Sequence, residues 1–168
     1  MRRLILVRHA KSSWDYFGVN DHDRPLKETG INKAYLVSEY FSDKVEGVDK
    51  IFSSSANRAL HTALIFADNL GVSFDKVAIE NSLYEMYRGE FYEFIRGVDN
   101  SYYTIMLVFH NPLINLLARE LGGMDIENVP TSALIDIKFD VAGWADIEEG
   151  GDVLNYISPK MILNKNID

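Results

Sequence analysis

Arg8 and His9 follow four apolar residues, Leu4-Ile5-Leu6-Val7, and His110 follows a second apolar run, Tyr103 to Phe109. Between them, Ser53-Ser54-Ser55 closes a short apolar segment, with Arg58 three residues further on. Each of these polar groups stands where an apolar run stops. Neutral imidazole, with an ordinary pKa of about 6.5, is a competent nucleophile near neutral pH. A guanidinium presents a planar fork of donors that matches phosphoryl oxygens and stays charged at any working pH. Two histidines and two arginines brought together would suit phosphoryl transfer, which depends on positioning and charge stabilisation. By itself Arg8-His9 is also readable as a strand that ends in two polar residues. The partners Arg58 and His110 separate the two readings.

Bringing these groups together requires strands that end on one edge of a sheet. Leu4 to Val7 reads as a buried strand. Lys11 to Pro25, with Gly18, Asn20 and Asp21-His22-Asp23-Arg24-Pro25, reads as a loop long enough to be functional. Glu28 to Ser42 follows as a helix with Ile31, Ala34, Tyr35, Ser38 and Phe41 on one face. Gly30 near its start costs stability, which a close approach of another backbone would explain. Val48 to Ser53 is a strand, Ser54-Ser55 offer capping hydroxyls, and Ala56 to Leu70 is a helix ended by Gly71. Val77 to Ile79 is a brief strand, and a helix of about Tyr84 to Val98 is interrupted by Gly89.

Tyr103 to Phe109 is the most apolar strand and is expected at the centre of the sheet. Asn111 is expected to cap the next helix, with Pro112 in its first position and Gly122-Gly123 at its end. The helix would aim its free amides and positive dipole end at the same place. Ala133 to Asp140 alternates as a strand. Gly143 to Gly151 is a turn region beside Trp144, and Asp152 to Ile157 is an edge strand closed by Pro159. This order predicts a single α/β domain over 1–168. Its architecture is a three-layer α/β/α sandwich with a mostly parallel central sheet and an antiparallel C-terminal strand.

The composition narrows the chemistry. With no cysteine among 168 residues, thiolate nucleophiles, disulfides and Cys-ligated zinc are excluded. A net charge of −8 argues against nucleic acid as a partner, because no basic stripe is available. The apolar run after Met1-Arg2-Arg3 stops at Arg8, too short for a signal core, and no stretch approaches the ~20 residues that cross a bilayer. The reading is a cytoplasmic protein without a membrane partner.

Leu6-Val7-Arg8-His9-Ala10-Lys11-Ser12-Ser13-Trp14 resembles the signature of the histidine phosphatase superfamily, in its SixA-like phosphohistidine phosphatase branch. Asp23-Arg24-Pro25-Leu26 with Gly30 resembles the segment that follows it. Ser53-Ser54 with Arg58-Ala59 and Thr62-Ala63 is similar to the second arginine motif. His110-Asn111-Pro112 is similar to the second-histidine motif, and Thr131-Ser132-Ala133 to the strand entry after it. The resemblance implies that His9 is the phosphorylated nucleophile and that Arg8, Arg58 and His110 complete a phosphate pocket. It implies no metal and no other cofactor. The long insertions of phosphoglycerate mutases are missing, so a more open site would suit a phosphorylated protein segment such as a phosphotransfer domain. Larger relatives take their general acid from after the third strand, which makes Glu85 and Glu90 the candidates here. A phosphohistidine substrate asks less of such an acid, because protonated imidazole leaves as a neutral molecule. The alternatives are a small-molecule phosphomonoesterase and a phosphoryl-binding module without turnover.

Ser12, Asn111 and Arg24 are candidates for substrate contact, and Arg24 could instead pair with Asp15 or Asp23. His22 between Asp21 and Asp23 reads as a solvated loop rather than a metal ligand, because no second ligand set follows at ligand spacing. Lys11 and His61 read as rim or surface. The aromatics Tyr84, Tyr87, Phe91, Tyr92 and Phe94 read as core packing or as a substrate-facing wall. Arg8, Arg58 and a partly charged His110 are expected to lower the pKa of His9.

Overall fold

The structure is a computed structural model that describes residues 1–165. Six strands form one sheet: β1 Arg2–Arg8, β2 Lys50–Ser53, β3 Val77–Ile79, β4 Thr104–Phe109, β5 Leu134–Phe139 and β6 Asp152–Ile157. Their spatial order is β3-β2-β4-β1-β5-β6. The pairs β2–β3, β2–β4 and β1–β4 are parallel, and β5 runs antiparallel to both β1 and β6. Five helices cover the faces: α1 Glu28–Ser42, α2 Asn57–Asn69, α3 Arg88–Arg96, α4 Leu113–Gly122 and α5 Pro159–Lys165.

Alternation along β1 shows the three layers. Leu4 and Leu6 pack with residues of α3 and α4, whereas Ile5 and Val7 pack with residues of α1, α2 and α5. All four are fully buried, which is why β1 reads as an unbroken apolar run. The α/β/α sandwich and its mostly parallel sheet are as expected from the sequence.

Three boundaries differ. The helix expected over Tyr84–Val98 is shorter, because Asn81–Tyr84 forms a 3-10 turn and the Tyr87 amide donates to the Glu90 carboxylate at 2.8 Å. That contact caps the helix just before Arg88. Asn111 does not cap α4. Its amide is committed to Asn128, and the helix starts at Leu113. Pro159 opens α5 rather than merely closing β6, in keeping with the tolerance of proline in a first helical turn.

The close approach inferred at Gly30 is present. A Cβ there would overlap the carbonyl oxygen of Lys11 and lie 2.8 Å from its amide nitrogen. This contact seats the first turn of α1 directly under the chain that leaves β1. The Lys27 amide donates to the Lys11 carbonyl at 2.8 Å, and Ser12 bridges to Leu26. The loop that carries the candidate site is thereby tied to its own returning strand.

Candidate active site

Parallel pairing fixes which strand ends meet. Arg8 is registered with Phe109, and Ser53 with Val108. One residue further on, His9 stands beside His110, and Ser54 lies next to them. The connection after β1 goes to the α1 face and the connection after β4 to the α4 face. The two strands thus flank a topological switch point, where open α/β sheets form their crevice.

The imidazoles of His9 and His110 have centroids 5.0 Å apart, with ring planes tilted by 51°. His9 Nδ1 lies 2.8 Å from the Ala10 carbonyl oxygen. A carbonyl only accepts, so Nδ1 carries the proton and Nε2 presents its lone pair. Burial is the largest influence on His9 and pushes its pKa down to about 4, with further lowering from Arg58, Arg8 and Arg24. The sequence reading named the cations and missed desolvation as the main cause. His110 is also held down by burial first, to about 3, and is therefore neutral rather than partly charged. Its Nε2 lies 2.7 Å from Ser54 Oγ, which itself accepts from the Ala56 amide. With the hydroxyl donating to Nε2, the proton of His110 resides on Nδ1, and that atom is buried without a partner.

The arginines are held by their tips. Arg8 Nη1 donates to Val129 O at 2.6 Å and to Asn128 Oδ1 at 3.1 Å. Arg58 Nη1 and Nη2 donate to Asp21 O at 2.6 Å and Asp21 Oδ2 at 3.0 Å. In both guanidiniums Nε is buried without a partner. Arg8 and Arg58 both act on the charge of His9 and His110, so three buried donors without acceptors are grouped around this histidine pair, a deficit that an oxyanion would satisfy.

Asp21 organises the other side. Besides Arg58, it accepts from Arg24 Nε at 3.0 Å and from the Tyr84 hydroxyl at 2.7 Å. Burial alone would raise its pKa, but Tyr84, Arg58 and Arg24 hold it at about 2, as a carboxylate. Arg24 also donates to Ser12 Oγ at 2.7 Å and lies with its Cζ 3.6 Å from the Trp14 ring centroid. Its partner is Asp21, not Asp15 or Asp23. Asp15 pairs instead with Lys27 at 3.1 Å. Ser12 is thus placed as a prop for Arg24.

Asn111 donates through Nδ2 to Asn128 Oδ1, the oxygen that also receives Arg8, and its own Oδ1 is buried without a partner. His22 is partly exposed on the loop, lies 3.0 Å from Asp23 Oδ1 and 3.0 Å from Ser55 Oγ, and meets the Tyr84 ring edge-on. Among the described residues no group of three or more His, Asp or Glu is placed to hold a metal. Glu85 is exposed and lines a cavity beside His110, whereas Glu90 serves as the cap of α3. His61 and Lys11 are exposed.

Sequence reasoning missed Asp21 as the clamp, Thr62 and Asn128. Thr62 Oγ1 receives the Ala10 amide at 3.0 Å and donates to the Arg58 carbonyl at 2.6 Å, which couples α2 to the chain after His9. Its only signal was its place in the arginine motif. Asn128 lies in a segment without pattern, and no signal pointed to it.

Residues 4–94 match the profile of the Histidine phosphatase superfamily (branch 1), over half of the chain. The chain belongs to this superfamily. An uncharacterized protein of Mycobacterium tuberculosis is 33% identical over 155 residues, covering 86% of this chain and 93% of that protein. A Hydrogenobacter thermophilus protein, provisionally named a phosphoserine phosphatase, is 31% identical over 149 residues, covering 82% and 68%. Among solved structures, the protein histidine phosphatase SixA complexed with tungstate superposes with a TM-score of 0.78 at 21% identity, covering 95% of this chain and 99% of that one. As a histidine phosphatase superfamily member with a SixA-like fold, this chain is a phosphatase by family. No described helix is long and apolar enough to cross a membrane.

Proposed function

We propose that this protein hydrolyses phosphohistidine on a partner protein, without a metal, through a phosphohistidine of its own. The observation that carries the reading is the state of His9. Its Nδ1–H is committed to Ala10 O, which leaves Nε2 with the lone pair. Its ring centroid lies 5.0 Å from that of His110, and Arg58 and Arg8 are near enough to lower the pKa of both rings.

In the first step His9 Nε2 attacks phosphorus, the Nε2–P bond forms and the bond to the leaving imidazole breaks. The leaving ring takes a proton from solvent and departs neutral, and the water that attacks in the second step returns one to solvent. In the second step water attacks phosphorus, the Nε2–P bond breaks, and inorganic phosphate and free His9 result. Arg8 and Arg58 neutralise the equatorial oxygens, and His110 donates from Nδ1. A low pKa keeps His9 unprotonated before attack, and the cationic arginines would have the phosphoryl charge to balance once it arrives. Asn111 presents an acceptor, Oδ1, which fits an N–H of a phosphoimidazole better than a phosphate oxygen. The tungstate held by SixA, a phosphate-like oxyanion, supports an anion pocket in this fold.

A labelled phosphoramidate tests the chemistry. After alkaline quench the label is expected on His9 and is released by acid. Full activity in a His9→Ala variant would overturn the mechanism. The provisional name of the Hydrogenobacter relative favours a second reading, a small-molecule phosphomonoesterase. Its alkoxide leaving group needs an acid, and Glu85 is the candidate.

A further inference from the structure

Next to His110 lies a cavity of about 630 Å³ that a phosphoimidazole alone does not fill. Sites of about 300–1,000 Å³ hold whole drug-sized ligands, whereas an imidazole is one five-membered ring. Its lining includes Met86, Phe109, Leu113 and Leu116, with Tyr84 and Asn111 on the side of the crevice. Of the charged residues at this cavity, Arg88 is bound to Glu120 at 2.7 Å and Arg119 Nε to the Ile126 carbonyl at 3.2 Å, while Arg119 and Glu85 are exposed. The floor formed by Met86, Phe109, Leu113 and Leu116 is suited to an apolar group.

A second observation says what kind of molecule carries that group. Trp14, Tyr16, Phe17 and Val19 are all exposed within six residues, and Tyr87 is exposed at the cavity. Such a cluster on a surface is unusual for residues with no partner. The loop is joined to the cavity by a continuous chain: Trp14 on Arg24, Arg24 on Asp21, Asp21 on the Tyr84 hydroxyl, and the Tyr84 ring 5.7 Å from His110. The exposed aromatics of the loop are thus linked to the cavity through the Arg24–Asp21 ion pair and lie beyond any leaving group the cavity could hold. Exposed Trp and Tyr around a pocket are the composition of a protein interface, where an anchor side chain fills a pocket and aromatics surround it.

We propose that the cavity beside His110 is an anchor pocket for a large apolar side chain of the phosphorylated partner, close in its sequence to the phosphohistidine. The loop Trp14–Val19 forms the remainder of the docking surface. This rests on the proposed function and adds a sequence preference to it. The phosphoryl group is held by the arginines, and the neighbouring apolar side chain is held by Met86, Leu113 and Leu116. Selectivity between phosphorylated proteins then comes from the second contact, because the first is common to all of them.

The test uses the whole protein and a panel of phosphohistidine peptides. A single Phe is moved through the four positions on either side of the phosphohistidine in an Ala/Ser background. Phosphoramidate serves as a substrate too small to reach the cavity. One or two positions of Phe are expected to raise kcat/KM by roughly 10- to 100-fold, the fold-change that full burial of one apolar side chain supports. Leu116→Trp, at a half-buried position, fills the cavity and is expected to lower the ratio of peptide to phosphoramidate kcat/KM by that same factor. Phe17→Ser, fully exposed and remote from the chemistry, is expected to raise KM for peptides only.

Equal kcat/KM for all peptides in the wild-type protein would overturn the anchor pocket and leave the proposed function standing. A loss in Leu116→Trp for aryl phosphates but not for peptides would assign the cavity to a small-molecule leaving group instead, and so overturn it. Absence of phosphohistidine hydrolysis with any peptide would overturn the proposed function and the pocket with it.

Discussion

Replacing His9 by Gln removes a titrating group whose folded pKa is displaced from 6.5 to about 4. A histidine depressed in this way stays neutral in the folded protein over a range where the unfolded chain is protonated. The unfolded state then binds the extra proton, so stability is lost as pH falls from about 6.5 to about 4. With those two values, His9 alone costs about 2 kcal/mol between about pH 7 and about pH 5. The Gln variant has no such proton to bind and is spared this loss. His110, with a folded pKa of about 3, adds a similar slope to both proteins and cancels in the comparison. The assay is urea unfolding of wild type and variant at both pH values. The wild-type protein is expected to lose about 2 kcal/mol more than the variant over that interval. Equal losses would show that His9 titrates normally in the folded protein and would refute the argument from burial. The same displacement places the acid limb of kcat/KM for phosphoramidate near pH 4 rather than near 6.5.

Other outcomes follow from the same geometry. Ser54→Ala leaves His110 Nε2 without its hydroxyl donor and frees the ring to change tautomer, so kcat is expected to fall about 10-fold, with recovery in Ser54→Thr. Steady-state kinetics on both variants checks this. Gly30→Ala drives a methyl into the Lys11 backbone and is expected to cost roughly 1–3 kcal/mol by thermal or urea unfolding, while disturbing Arg24 through Ser12. Glu85→Gln is expected to leave phosphoramidate hydrolysis within about 2-fold; a loss of 10²-fold or more confined to alkyl phosphates would favour the small-molecule reading. Prolonged dialysis against a chelator is expected to leave turnover unchanged, and a loss restored by a divalent cation would overturn the metal-independent step.

The sequence by itself determined the sheet and its central strand, and it marked Arg8-His9, Arg58 and His110 as candidates near neighbouring strand ends. It did so because β1 and β4 are buried on both faces and leave unbroken apolar runs that stop at Arg8-His9 and at His110. Polar residues at such stops are visible without coordinates, and parallel strands must end on one edge. The role of Gly30 was legible for a similar reason, since glycine near a helix start has few explanations. What the tertiary structure alone decided were contacts between segments distant along the chain. Asp21 meets Arg58 across 37 residues, Arg8 meets Asn128 across 120, and Ser54 meets His110 across 56. A hydrogen bond leaves no periodicity in either partner, so no pattern announces it. Burial had the same fate: the low pKa of His9 was foreseen from its cationic neighbours, but its main cause is the depth of the crevice, which is a property of the packed layers and not of any motif.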